Sequence, residues 1–198
     1  MARAGTAAAL GRAGLFAALA LAAIAAFAQD APRQGPLAGI PNLAIEYYDV
    51  SGRTPAAIRA ALNAVRPRDP NDGRPVDALS RWEVRWSWRG NGRGGCDLAH
   101  PTVNYSARIV MPRLANEADV PPGVRARWRA YIAALEAHEA GHVRFPFDHL
   151  GEIAAAIRAS TCDLANVAAR RALARIQRHD VAYDRATRHG ATQGATFP

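Results

Sequence analysis

Trp128-Arg129-Ala130-Tyr131-Ile132-Ala133-Ala134-Leu135-Glu136-Ala137-His138-Glu139-Ala140-Gly141-His142 is the stretch on which the fold turns. Trp128, Tyr131, Ile132 and Leu135 repeat at the helical period, and the stripe runs straight into His138. The spacing predicts a helix with one apolar face. Residues four apart on a helix stand one above the other, so His138 and His142 present two imidazoles to one point. Glu139 projects from nearly the same side. The pattern H-E-x-x-H on a helix is the signature of zinc metallopeptidases: two histidines ligate Zn²⁺ and the glutamate acts on water.

Downstream, Pro146 falls four residues after His142 and removes one helical hydrogen bond, which predicts a kink or break just past the motif. Leu150, Ile153 and Ile157 resume a helical pattern. Asp163 is placed to cap a long last helix. Leu164, Val167, Leu173, Ile176 and Tyr183 mark that helix as amphipathic, and Gly190 is placed to end it.

Upstream, Trp82, Val84, Trp86 and Trp88 alternate with Glu83, Arg85, Ser87 and Arg89. That is the period of a half-buried strand, and the tryptophan side is read as core rather than as a glycan-stacking platform. Val103 to Met111 alternates in the same way and Pro112 stands at its end. Leu43 to Val50 reads as a further strand, and Thr54-Pro55 as the N-cap and first position of a short helix reaching about Val65. Residues 66–76 carry three prolines and several Asp and Asn, and read as a loop. The expected class is α+β: a small antiparallel sheet of about three strands, packed with the motif helix and a long C-terminal helix.

The N-terminus reads as an export signal. Arg3 and Arg12 precede the apolar run Leu15 to Phe27, and Ala26-Phe27-Ala28 fits the small-x-small cleavage rule. The expected organisation is a signal peptide over 1–28, a Pro- and Gly-rich linker over 29–42 and one domain over 43–198. Removing Arg3 and Arg12 takes the net charge from +8 to +6. All 25 basic residues are arginine and they are spread along the whole chain, so the charge marks no nucleic-acid site. Cell-envelope polymers remain a compatible partner class. Cys96 and Cys162 are the two cysteines, and in an exported, periplasmic or secreted protein the pair implies one disulfide. A monomer is expected.

A catalytic zinc site takes three protein ligands. Glu152 is the only glutamate after the motif and lies ten residues past His142, about 15 Å along a straight helix. Phe145 and Asp148 occupy the positions where a glycine turn and a third histidine would continue the motif. Candidates therefore gather near the end of the last helix: His179, Asp180, Asp184 and His189. His189 stands out, at a helix end beside Gly190. Asp184 is held in reserve, as a ligand or as an acceptor that orients one. Tyr183 is a candidate hydrogen-bond donor to an oxyanion. His100 and His149 read as ordinary surface or loop histidines.

Three segments carry a resemblance: Tyr47-Tyr48-Asp49-Val50-Ser51-Gly52, His138-Glu139-Ala140-Gly141-His142, and Tyr183-Asp184-Arg185-Ala186-Thr187-Arg188-His189-Gly190-Ala191-Thr192-Gln193-Gly194. With them the chain resembles a bacterial domain-of-unknown-function family of predicted secreted zinc-dependent proteases. The resemblance implies a zincin-like metallopeptidase acting outside the cytoplasm on a protein or peptide substrate. Zn²⁺ would be held by His138, His142 and His189, with Glu139 as general base. The rival expectation is a non-enzymatic envelope-binding module with a structural metal or none.

Overall fold

The computed structural model describes residues 35–92 and 95–198. The expected signal peptide and the first part of the linker lie outside the described residues. Elements run in the order β1 (Leu43–Val50), α1 (Pro55–Val65), β2 (Leu79–Gly90), β3 (Cys96–Leu114), α2 (Pro122–Asp148), α3 (Leu150–Arg158) and α4 (Ala165–Thr187). This is an α+β fold with a three-stranded sheet and a long C-terminal helix. Among the described residues no helix is long and apolar enough to cross a membrane.

The sheet order is β1-β3-β2. β2 and β3 form the expected antiparallel pair, with Val84 opposite Tyr105. The sheet as a whole corrects the expected antiparallel arrangement, because β1 lies parallel to β3, with Ile45 opposite Ile109. A parallel pair needs a long crossover, and here α1, residues 66–76 and β2 all intervene between the two strands. Pro112 does not end β3. The Ala107 amide donates to Asn42 on the β1 side, so even-numbered amides of β3 point toward β2. The β2 pairing stops at Leu79–Val110. The missing N–H of Pro112 therefore faces an unpaired edge, the place a strand tolerates proline.

The tryptophan stripe packs against the core, as its alternation implies, with Val84 buried and Trp82, Trp86 and Trp88 half-buried. Tyr105, Ile109 and Met111 of β3 face the same way and meet Leu135 and Val143 of α2 and Ile153 and Ile157 of α3 in one core. Thr54 caps α1, its Oγ1 accepting from the Ala57 amide at 3.2 Å. The segment before β1 is docked: Leu37 and Ile40 are buried, and Arg144 donates to the carbonyls of Pro36 and Ala38.

Helix expectations change at three points. α2 runs through Pro146 and breaks only at His149. The lost hydrogen bond is outweighed by packing: Pro146 is fully buried, and Tyr105 Oη donates to the Val143 carbonyl beside it at 2.6 Å. On α4 the inward face is Ala165, Ala169, Ala172 and Ile176, while Leu164 and Val167 are exposed. Small side chains let α3 approach closely, and the Cys96–Cys162 disulfide fastens the α3–α4 junction to the start of β3. Asp163 makes no cap, the N-cap position falling to Leu164.

Candidate metal centre

The inward stripe of α4 changes chemistry along its length. Ala165, Ala169, Ala172 and Ile176 are followed, at the same spacing, by Asp180, Tyr183 or Asp184, and Thr187. The apolar half packs against α3. The acidic half faces the motif on α2.

On α2, His138, Glu139 and His142 are 3, 4 and 9% exposed. The two Nε2 atoms stand 3.3 Å apart. Asp184 Oδ1 lies 3.3 Å from His138 Nε2 and 3.1 Å from His142 Nε2. His138, His142 and Asp184 thus offer two nitrogens and one carboxylate oxygen within 4.8 Å of one another. The far nitrogens are engaged as well. His138 Nδ1 is 2.9 Å from Gln193 Oε1 and His142 Nδ1 is 3.3 Å from Asp180 Oδ1. Acceptors at both Nδ1 atoms can hold a proton on that side and leave Nε2 to ligate a metal. Trp82 Nε1 in turn donates to Asp180 Oδ2 at 2.8 Å.

Two glycines permit this packing. A Cβ on Gly141 would sit 2.4 Å from the Tyr183 ring, and one on Gly190 would sit 2.9 Å from His138 Cγ. Tyr183 therefore lies over the Gly141 backbone with its ring stacked on His138, centroids 5.1 Å apart. Its hydroxyl accepts from Gln193 Nε2 at 3.0 Å. That places Tyr183 as a support for His138 and Gln193.

After α4, Arg188, His189 and Gly190 are all left-handed, with φ of 51°, 51° and 79°. The turn brings His189 Nδ1 to 3.4 Å from Asp184 Oδ1 and returns Gln193 to His138. Of the expected third ligands, Asp184 is the one grouped with His138 and His142. His189 meets the same Asp184 oxygen and falls in a second group with Asp69. His179 stacks on Phe145, centroids 3.5 Å apart, outside both groups. His149 Nδ1 lies 2.7 Å from the Phe145 carbonyl and His100 is beside Asp97. Glu152 faces Arg175 from α3.

Glu139 sends Oε2 to the Ser80 hydroxyl, which donates at 2.6 Å. Burial pushes its carboxyl above the usual range, and the Ser80 hydrogen bond and the two imidazoles only partly offset this. Burial opposes charge on His142, but hydrogen bonds to Asp180 and Asp184 and the nearby Glu139 carboxylate outweigh it and raise that imidazole to about 10. Burial likewise opposes the Asp184 carboxylate, and hydrogen bonds to His138 and His142 hold it well below the ordinary carboxylate range. The site favours positive charge, and its donor set suits a divalent ion of the zinc type. It opens into a cleft of about 270 Å³, whose opposite wall is the loop from Arg66 to Val76 and the start of β2.

Ser80, Gln193, Trp82 and Asp69 are not marked as site residues by their sequence context, whereas Asp180 is among the candidates near the end of the last helix. Asp180 and Asp184, four apart on the helix stripe, repeat the spacing of His138 and His142, and that was the available signal. The others arrive from distant segments with no spacing of their own.

The chain belongs to the bacterial protein family of unknown function DUF922, which it matches over residues 45–190. The match spans β1 through the turn after α4 and so includes both helices of the site. No curated protein and no solved structure matches the chain.

Proposed function

We propose that this DUF922 member is an exported zinc-dependent peptidase. The observation that carries the reading is the convergence of His138 Nε2, His142 Nε2 and the Asp184 carboxylate beside a buried glutamate on the same helix. The Cys96–Cys162 bond and the signal-like N-terminus support a location outside the cytoplasm.

His138, His142 and Asp184 would hold the ion, and Zn²⁺ there supplies Lewis acidity toward a carbonyl and lowers the pKa of water. Gln193 and Asp180 keep the two imidazoles in the ligating tautomer. Glu139 takes the proton of the attacking water and returns it to the leaving amine. Its raised proton affinity suits that task, and Ser80 fixes one carboxylate oxygen so that the other is left for the proton. β3 is the central strand, which removes it as a substrate edge. β2 is paired on one side only among the described residues, and Ser80 at its start touches Glu139. An extended peptide added along β2 would run toward the glutamate.

Metal analysis and a Glu139→Gln variant test this. Zinc co-purifying with both proteins, and hydrolysis of a denatured protein substrate falling about 10²–10⁴-fold in the variant, is the expected result. Equal activity in the variant, or a wild type that binds no metal, defeats the proposal.

A further inference from the structure

The cleft contains a second cluster of ligand type. Asp69, Asp184 and His189 offer a carboxylate oxygen, a second carboxylate oxygen and an imidazole nitrogen within 4.8 Å of one another. Asp184 belongs to this group and to the His138–His142 group. We propose that the protein holds two divalent cations bridged by the Asp184 carboxylate, the second carried by Asp69 and His189. The inference rests on the first site being a metal site and extends it to a paired centre.

Three independent features converge on the second position. Asp69 is 8% exposed, and the hydrogen bond its side chain makes is with the Asn71 amide at 2.8 Å. Its neighbouring arginines are turned elsewhere: Arg66 pairs with Asp77 and Arg74 with Asp72. Among the described residues no cation stands within ion-pair distance of Asp69. A carboxylate this buried is costly without a positive partner. Second, the loop that carries Asp69 is built to hold it in place. The Asp69 amide donates to Arg74, the Gly73 amide donates back to Asp69, and the Val76 amide donates to Pro67, all between 2.8 and 2.9 Å. Third, His189 is a non-glycine residue in the left-handed region, directly after another one at Arg188. Such a conformation costs free energy and persists where its surroundings enforce it. Its consequence here is to aim the imidazole at Asp184. Two carboxylates and one imidazole suit Zn²⁺, Mn²⁺ or Co²⁺, and a carboxylate shared between two ions is the usual bridge of two-metal hydrolytic sites.

The test is cation stoichiometry on the folded mature chain. Protein stripped with chelator is titrated with Co²⁺, and bound metal is counted by elemental analysis and native mass spectrometry. Wild type is expected to saturate at two ions per chain, and Asp69→Asn and His189→Ala at one each. Mn²⁺-loaded wild type is expected to give an exchange-coupled electron paramagnetic resonance signal, which needs no variant to fold. Saturation of wild type at one ion, or two ions retained in both variants, or two uncoupled Mn²⁺ signals, overturns the bridged pair while leaving the single-ion reading intact. A wild type that binds no ion removes both.

Discussion

Two half-buried carboxylates face the same cleft and are held in opposite ways. Asp77 receives two hydrogen bonds from Arg59 at 3.0 and 2.9 Å, a third from Tyr131 Oη at 2.8 Å and a fourth from Arg66 at 3.3 Å. Asp184 is ringed by imidazole nitrogens of His138, His142 and His189 at 3.1 to 3.4 Å. Guanidinium never surrenders its charge, so Asp77 has a permanent counter-ion and nothing left to bind. Imidazole, unlike guanidinium, can give up its proton, so the positive charge around Asp184 is of a kind that a metal could replace. Partner type, and not burial, separates a structural carboxylate from a candidate ligand. Asp77 also helps anchor the C-terminal segment. Arg59 donates on to the Phe197 carbonyl, and the Phe197 ring packs against Trp128 and Tyr131.

The comparison breaks most visibly at Asp77. Asp77→Asn strands Arg59 and Arg66 with no full counter-charge in a half-buried place. A loss of about 3–5 kcal/mol in urea unfolding is expected, with metal content per folded molecule unchanged. Asp184→Asn should abolish retained zinc on elemental analysis, while its cost to the metal-free protein, the loss of its pairing with the imidazoles, should be smaller than that of Asp77→Asn. If Asp184→Asn destabilises metal-free protein as much as Asp77→Asn does, the two centres are of one kind.

The same contrast predicts opposite pH limbs of stability. Burial works against the Asp77 carboxylate, but Arg59 and Tyr131 lower its pKa from 3.8. Its contribution is therefore present above about pH 3.8 and is lost as pH falls through the lowered value. Asp184 adds to this acid limb in the same sense. His142 is raised from 6.5 to about 10. In metal-free protein its contribution is complete below about pH 6.5 and disappears as pH rises through about 10. Urea midpoints measured from pH 3 to pH 10 should show both limbs for chelator-treated protein. Zinc loading should abolish the alkaline limb, since the ion replaces the proton, and should leave the Asp77 share of the acid limb untouched. An alkaline limb unchanged by zinc would separate His142 from the metal.

What could be read from the chain beforehand follows the range of each interaction. His138, Glu139 and His142 are linked by one helical turn, and Trp82 to Trp88 by one strand's alternation, so local periodicity announces both. The direction of β1 was hidden because pairing with β3 is set 64 residues away in the chain, as at Ile45 and Ile109. The inward face of α4 misled for a different reason. Leu164 and Val167 have the stronger hydropathy, but close packing against α3 selects the alanine side. Asp184 was legible as a candidate, whereas its company was not: Ser80, Asp69 and Gln193 come from a strand, a loop and a terminal turn that meet only in the folded molecule.

The smallest effect lies furthest from the proposed ion and tests how far the imidazole side of the comparison extends. Trp82 packs on the core, so its indole N–H would pass for incidental, yet it donates to Asp180 Oδ2, whose other oxygen meets His142 Nδ1. The chain Trp82–Asp180–His142 orients one proposed ligand from a different layer of the fold. Trp82→Phe keeps most of the apolar packing and deletes the donor. Partners of this kind contribute about 10–100-fold to metal affinity. Zinc affinity measured by chelator competition should weaken within that range. Stability of the metal-free variant should fall by no more than a large-to-smaller aromatic exchange costs at a half-buried position. The expected signature is thus affinity lost out of proportion to stability. Equal losses in both would make Trp82 a packing residue alone and end the ligand's support at Asp180.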